Sequence, residues 1–308
     1  MSHVITVGID GSPASLAAAH WAAREAVRRG TGLAVVHAWH PHVGPTPHVP
    51  QDSSEHAWAE ATLRQTVEGL RSAHAGADIH GRLVCDSAVT ALTAAAADSE
   101  MLVLGSLSLG ALGGFVTGSV SHRVVARSPR PVVLVRAGRG VAAEHLPAVD
   151  GIAPDEIPQT PCREVVLGLD TAHPCDELIE FAFEAARRRD TGLRVVHAFR
   201  TDWPLTDASL VVPPEAVEPE PQARARADAE HKVAAVISFW RAKFPTVPVT
   251  GWVTEGRAAS VLLHEVSDAG LLVVGRRETG HRVGARIGSV AHAALHHAGC
   301  PVAVVPHD

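Results

Sequence analysis

The chain is 308 residues long, 46% hydrophobic, with a formal net charge of −6 at pH 7. That length suits two ordinary domains, each able to bury its own core, and the mildly acidic, apolar-rich composition excludes a disordered chain and argues against a nucleic-acid binder. No apolar run is long enough to span a bilayer, and the first residues lack the basic-then-apolar pattern of an export signal, so a cytoplasmic protein without membrane contact is expected.

The chain opens with VITVGID (4–10), an unbroken apolar run that suits a strand buried on both faces of a parallel sheet. A helix is predicted over 13–29, with Pro13 in the first turn, where proline is tolerated. Thr-Gly ends it and the strand LAVVHAW (33–39) follows. Residues 40–56 are rich in proline and polar side chains and read as a surface loop. Then come a helix at 56–74, the strand HGRLVC, a helix at 87–98, the strand MLVLG, a glycine-rich segment, a fourth helix and the last strand PVVLVR. Residues 139–162 have the composition of a linker. The second half repeats the order: VVLGLD, a helix at 174–189, LRVVHAF, a loop at 200–222, a helix at 220–243, VTGWVTE, a helix at 257–269, LLVVG, a glycine-rich segment, a helix and PVAVVP. Alternating strands and helices imply a doubly wound α/β fold with a parallel sheet and right-handed crossovers.

The two halves also match residue by residue. Gly8 and Asp10 answer to Gly168 and Asp170, Val36-His37-Ala38 to Val196-His197-Ala198, and segment 103–125 to 273–295. A repeat of this length means two copies of one domain. The four cysteines (Cys85, Cys162, Cys175, Cys300) form no CxxC pair and do not match between copies, so neither a disulfide nor a zinc role is read from them. His292 and His296 stand four apart on an expected helix, as a metal pair would, without a third ligand at readable spacing.

Open parallel sheets bind ligands at the carboxyl ends of their strands. Three signals fall there: Gly8-Ile9-Asp10 and its counterpart, the strand end Val84-Cys85-Asp86-Ser87 or Val253-Thr254-Glu255-Gly256, and the helix start after each glycine-rich segment. Backbone N–H groups at a helix start, aided by Ser119 and Ser121, offer an anion site. Together they suggest a nucleotide with phosphates at the helix start and base or ribose against the first strand. There is no GxxxxGK[ST], and no GxGxxG after the first strand. The glycines alternatively serve only tight turns and close helix packing.

With these motifs the chain resembles a tandem-domain member of the universal stress protein family. That family's ATP signature is Gly, two residues, Gly, nine residues, then Gly-Ser or Gly-Thr. Here Gly105-Ser106-Leu107-Ser108 precedes Gly118-Ser119, and Gly275-Arg276-Arg277-Glu278 precedes Gly288-Ser289, with the outer spacing kept and the second glycine replaced in both. The resemblance implies two flavodoxin-like (Rossmann-like) domains, 1–138 and 163–308, each a five-stranded parallel sheet in order 3-2-1-4-5. It implies binding of an adenine nucleotide, ATP with magnesium as a candidate companion. The binding residues carried over are Gly8, Asp10, Gly105, Ser106, Ser108, Gly118, Ser119, Val120 and Ser121 in the first half. In the second they are Gly168, Asp170, Gly256, Gly275, Arg276, Arg277, Gly288, Ser289 and Val290. It further implies a regulatory role in stress adaptation with little or no hydrolysis, pairing of the two domains through their last strands, and a homodimer of chains. No catalytic or metal-ligating residue is assigned.

The departures matter. Ser108 costs about 1 kcal/mol if its position requires a positive φ, though its hydroxyl could donate to a phosphate. Glu278 about 4 Å from a phosphate would repel it by about 4 kcal/mol at an effective dielectric near 20, unless Arg276, Arg277, Arg282 and Arg286 neutralise it. The first half is therefore expected to hold phosphate more tightly. Asp10 and Asp170 would contact ribose or a metal-bound phosphate, or simply cap the turn after the strand. Two alternatives compete with the regulator: a nucleotide-free interaction scaffold, and a nucleotide-hydrolysing or adenylating enzyme. The enzyme lacks an evident clamp, since the only lysines are Lys232 and Lys243.

Overall fold

The computed structural model describes residues 4–40, 51–109, 114–116, 119–138, 144–146, 160–201, 221–277 and 287–308, with side chains at 51–54, 107–109, 114–116 and 221 outside that description. The first half contains β1 (Val4–Ile9), α1 (Pro13–Arg29), β2 (Gly32–Trp39), α2 (Gln51–Ala73), β3 (Ile79–Cys85), α3 (Ala88–Ala97), β4 (Met101–Leu109), β5 (Gly114–Val116), α4 (Ser119–Arg127) and β6 (Val132–Arg136). The second contains β7 (Val165–Gly168), α5 (Asp176–Arg188), β8 (Leu193–Phe199), α6 (Pro221–Lys243), β9 (Val249–Glu255), α7 (Ala258–Glu265), β10 (Leu271–Arg277), α8 (Ser289–His297) and β11 (Val302–His307).

The strand order is β3-β2-β1-β4-β6 in the first half and β9-β8-β7-β10-β11 in the second, which is 3-2-1-4-5 in each, with neighbours along these two orders parallel and β5 set off the path beside β4. Apolar residues occupy both faces of the inner strands, whereas the outer strands β3 and β9 are largely exposed. Val133 and Val135 of β6 join the core under α1, α2, α5 and α6, while Val132 and Leu134 join the core under α3, α4, α7 and α8. That two-sided burial is why the strands read as unbroken apolar runs.

The last strands meet, as their apolar edges require. β6 pairs antiparallel with β11, Val133 opposite Ala303, and fuses the halves into one continuous sheet. Several boundaries differ from the sequence reading. α2 starts at Gln51, α7 stops at Glu265, and α5 starts at Asp176, behind Pro174 and Cys175. The first glycine-rich segment is not wholly an open loop. β4 continues to Leu109 and pairs antiparallel with β5, Ser108 opposite Phe115, which satisfies backbone groups that a loop would leave to solvent.

The linker stretch also contributes structure. His145 bridges Cys162, the Arg163 N–H donates to the Glu144 carbonyl at 2.8 Å, and Leu146 N–H donates to Pro161 O at 2.9 Å. The buried Glu144 carboxylate is paired with Arg24 and Arg28 of α1. This clasp adjoins a second buried cluster, in which Glu25 of α1 binds Arg189 at the end of α5 at 2.8 Å and Arg29 at 2.7 Å. Burial by itself would raise the Glu25 carboxyl, but Arg189, Arg29 and Arg28 hold it at about 2. On the opposite face, Arg136 donates to the Leu295 carbonyl at 3.4 Å and Arg276 to the Ser128 carbonyl at 2.6 Å.

Candidate functional site

A cavity of about 590 Å³ opens at the carboxyl ends of β7, β8 and β10. It gathers seven of the sequence-predicted residues: Gly168, Asp170, Gly275, Arg277, Gly288, Ser289 and Val290. Val196, Ala198, Leu262 and Val274 give it apolar walls, and His173, His197 and His307 add polar edges. Gly288 caps α8 with no side-chain hydrogen bond. Gly288, Ser289, Val290 and Ala291 at the start of that helix line the cavity, and a helix start offers N–H groups of the kind that receive anions.

Asp170 stands two residues beyond the end of β7. Its Oδ1 accepts from Ala172 N–H at 3.0 Å and its Oδ2 lies 3.2 Å from His173 Nδ1. Partial burial pushes its carboxyl up, but the Ala172 N–H and His173 outweigh it and hold it below the ordinary range. His197 donates through Nδ1 to the Leu169 carbonyl at 2.9 Å, which leaves Nε2 as the acceptor, 3.4 Å from the Thr171 hydroxyl.

Two predicted residues lie elsewhere. Arg276 alternates with Gly275 and Arg277 along β10, so its side chain leaves the opposite face of the strand and ends, buried, against Ser128. The period of two was visible in the sequence and gives the correction. Gly256 follows β9 at φ 153°, with its N–H bonded to Phe199 O, and does not line the cavity. A Cβ there would stand 2.9 Å from Val261 Cγ2, so the glycine answers a conformational and packing need.

The matching region of the first half is packed differently. α1 begins at Pro13, which corresponds to His173 in the repeat, and its first turn lies on Gly105. A Cβ at Gly105 would stand 2.5–2.6 Å from backbone atoms of Ala14 and Ser15. At Gly275 the nearest atoms belong to the side chains of His307 and Leu178. Gly8 is equally tight, with Leu92 and Leu104 methyl groups at 2.6 and 2.7 Å from a Cβ, whereas the nearest atom at Gly168 is Leu262 Cδ2 at 3.1 Å. The later start of α5 leaves room where the first half has helix backbone. The phosphate-side comparison expected from Glu278 and Gly118 falls on residues outside the described ones.

Asp10 caps its own turn by accepting from Ser12 N–H at 3.0 Å. Burial raises its carboxyl, but the hydrogen bonds from Ser12 and Ser15 bring it below the ordinary value. The Ser121 hydroxyl donates to the Gly105 carbonyl at 3.2 Å, so it is turned toward β4 and away from an incoming anion. Ser119 is exposed, Val120 half-buried and Ser106 buried. Gly118, Glu278, Arg282 and Arg286 lie outside the described residues, as does the Ser108 side chain.

Sequence reasoning missed the histidines. His173 and His307 had no motif around them, and His197 stood only as a repeat marker. Its counterpart His37 is buried, its Nδ1 lacks a hydrogen-bond partner among the described residues, and its ring meets Trp58 edge-on at 5.7 Å. Burial depresses the His37 imidazole, with Asp10 pulling the other way.

The architecture is that of a tandem doubly wound α/β protein with a ligand-type crevice at the carboxyl edge of the sheet. The chain belongs to the universal stress protein family, whose model matches residues 1–136 and 161–306. Universal stress protein Rv2005c of Mycobacterium tuberculosis is 33% identical over 313 residues, covering 98% of this chain and 96% of that protein. Universal stress protein Rv2623 of the same species is 29% identical, covering 97% and 95%. A universal stress protein from Archaeoglobus fulgidus has the same fold over the full length of both chains, with a TM-score of 0.74 at 14% identity.

Proposed function

We propose that this protein is an ATP-binding regulator of stress adaptation whose principal nucleotide site is the second-half cavity. The observation that carries the reading is the space of about 590 Å³ at the carboxyl edge of the sheet, bordered by the start of α8 at Gly288 and Ser289 and by Arg277. Its volume falls in the range of about 300–1,000 Å³ typical of small-ligand sites. In this reading the phosphates sit on the α8 N–H groups beside Ser289, the base lies against Val196, Ala198 and Leu262, and Asp170 takes the ribose. Asp170 is the only carboxylate lining the cavity among the described residues, so magnesium would be held mainly by the phosphates and water. The same carboxylate is already engaged with Ala172 and His173, which favours retention of nucleotide over rapid hydrolysis. We extend the proposal to two binding modules, 1–138 and 163–308, in one cytoplasmic chain.

The test is calorimetric titration of ATP into wild type, Gly288→Asp and Ser119→Asp, with phosphate release followed in parallel. A Cβ at Gly288 meets nothing within 4 Å, and aspartate is a good N-cap, so Gly288→Asp should fold normally. Its carboxylate opposes a phosphate by at most about 4 kcal/mol before solvent screening, so a loss of at least tenfold in affinity is expected. Ser119→Asp should leave the tighter site unchanged. The reverse pattern would move the principal site to the first half. Absence of binding to wild type would favour the scaffold, a reading supported by the close packing around Gly105.

A further inference from the structure

His307 ends β11, lines the second-half cavity and is half-buried. Its ring lies over Gly275: a Cβ there would stand 2.7 Å from Nε2 and 2.9 Å from Cδ2. Strand register explains the placement. β10 and β11 run parallel with Gly275 opposite Val305 and Arg277 opposite His307. Residues two apart share a face of a strand, so His307 stands on the side of Val305, where the core under α5 begins. Its Nδ1 donates to the Asp308 carbonyl oxygen at 3.0 Å, which leaves Nε2 at Gly275. The Glu177 carboxylate of α5 accepts from Cys175 Sγ at 3.0 Å and interacts electrostatically with the His307 ring.

The first half shows that the fold does not require this pair. The counterparts of Glu177 and His307 are Ala17, inside α1, and Ala137, just after β6. Both alanines stand in a half with the same sheet order, so Glu177 and His307 belong to the second-half cavity and not to the architecture. We propose, resting on the nucleotide reading of this cavity, that His307 recognises the phosphate tail and so distinguishes a nucleoside triphosphate from a nucleoside. With Nδ1 held by Asp308, Nε2 donates to a phosphate oxygen only when the ring carries two protons, and the second is taken from solvent as the anion arrives. Glu177 and the phosphate favour the charged ring, while Arg277, its neighbour on β10, opposes it. Asp170 and His173 line the same cavity. A charged His307 supplies a tail-binding cation in a chain without the lysine of GxxxxGK[ST].

The experiment is calorimetric titration of ATP and of adenosine into the full chain at neutral pH, repeated in buffers of different ionisation enthalpy so that proton uptake is read directly. His307→Ala puts in place the residue that the first half carries there. It should weaken ATP about tenfold, the worth of one hydrogen bond to a charged group, and leave adenosine unchanged. Wild type should take up more protons on binding ATP than His307→Ala does. His307→Gln keeps a neutral N–H donor, so it should recover part of the affinity and none of the proton uptake. If His307→Ala does not fold, His307→Leu carries the same test. Equal losses for ATP and adenosine, or ATP affinity and proton uptake that survive in the alanine variant, overturn the proposal and leave the nucleotide site standing. Absence of ATP binding to wild type overturns the site itself and this inference with it.

Discussion

Replacing Glu25 by glutamine would remove one negative charge from the seam and leave its shape almost unchanged. The Glu25 side chain is 1% exposed and its partner Arg189 is 3% exposed, 2.8 Å away. Arg29 lies at 2.7 Å and Arg28 at 3.7 Å. Burial lowers Arg189 below its usual value even with Glu25 beside it, yet a guanidinium stays charged at any working pH. Glu25 is therefore the anion that makes a buried cation tolerable. Breaking a buried pair on one side typically costs about 3–5 kcal/mol. The carboxyl itself gives a similar figure, since the gap between 4.5 and about 2 corresponds to about 3 kcal/mol. Glu144 lies beside the cluster and offsets part of the charge on Arg28, so the lower end is expected. Urea unfolding at pH 7 and low salt measures the effect. Glu25→Gln should lose about 3 kcal/mol, and the double variant Glu25→Gln/Arg189→Met should recover at least half of that, because no unpaired charge remains. A loss under about 1 kcal/mol, or a double variant no better than Glu25→Gln, would refute the reasoning.

The same cluster sets an acid limit. The folded carboxyls of Glu25 and Glu144 lie below their unfolded value, so their stabilisation is complete above about pH 4.5 and is lost as the pH falls toward 2. Urea midpoints should therefore fall between pH 5.5 and pH 3, and less steeply in Glu25→Gln. Gly105→Ala should cost about 1–3 kcal/mol, because the backbone of α1 cannot yield to the new methyl group. Gly288→Ala should stay within about 0.5 kcal/mol of wild type, and equal losses for the two in urea unfolding would mean that α1 does not lie on Gly105. Thiol labelling of native protein should modify the exposed Cys85 first. Cys175 should react far more slowly, because burial and its hydrogen bond to Glu177 push its thiol up to about 11, and fast labelling in peptide maps would count against that packing.

Much of the fold was legible in the sequence, because apolar runs, helix periodicity and a long internal repeat report local conformation and burial directly. VITVGID and VVLGLD became first strands, and PVVLVR and PVAVVP met edge to edge, since an apolar edge strand must be covered. Seven predicted residues came together around the second-half cavity. The failures lie where a residue's role depends on what packs against it. Strand alternation sent Arg276 to the seam, and a stretch with linker composition supplied Glu144 as a buried counter-ion. Sequence alone thus determined two doubly wound halves and the pairing of their last strands. What lies against each strand end was decided only in three dimensions: α1 starts early enough to lay its first turn on Gly105, while α5 starts later and the nearest atoms at Gly275 belong to the side chains of His307 and Leu178.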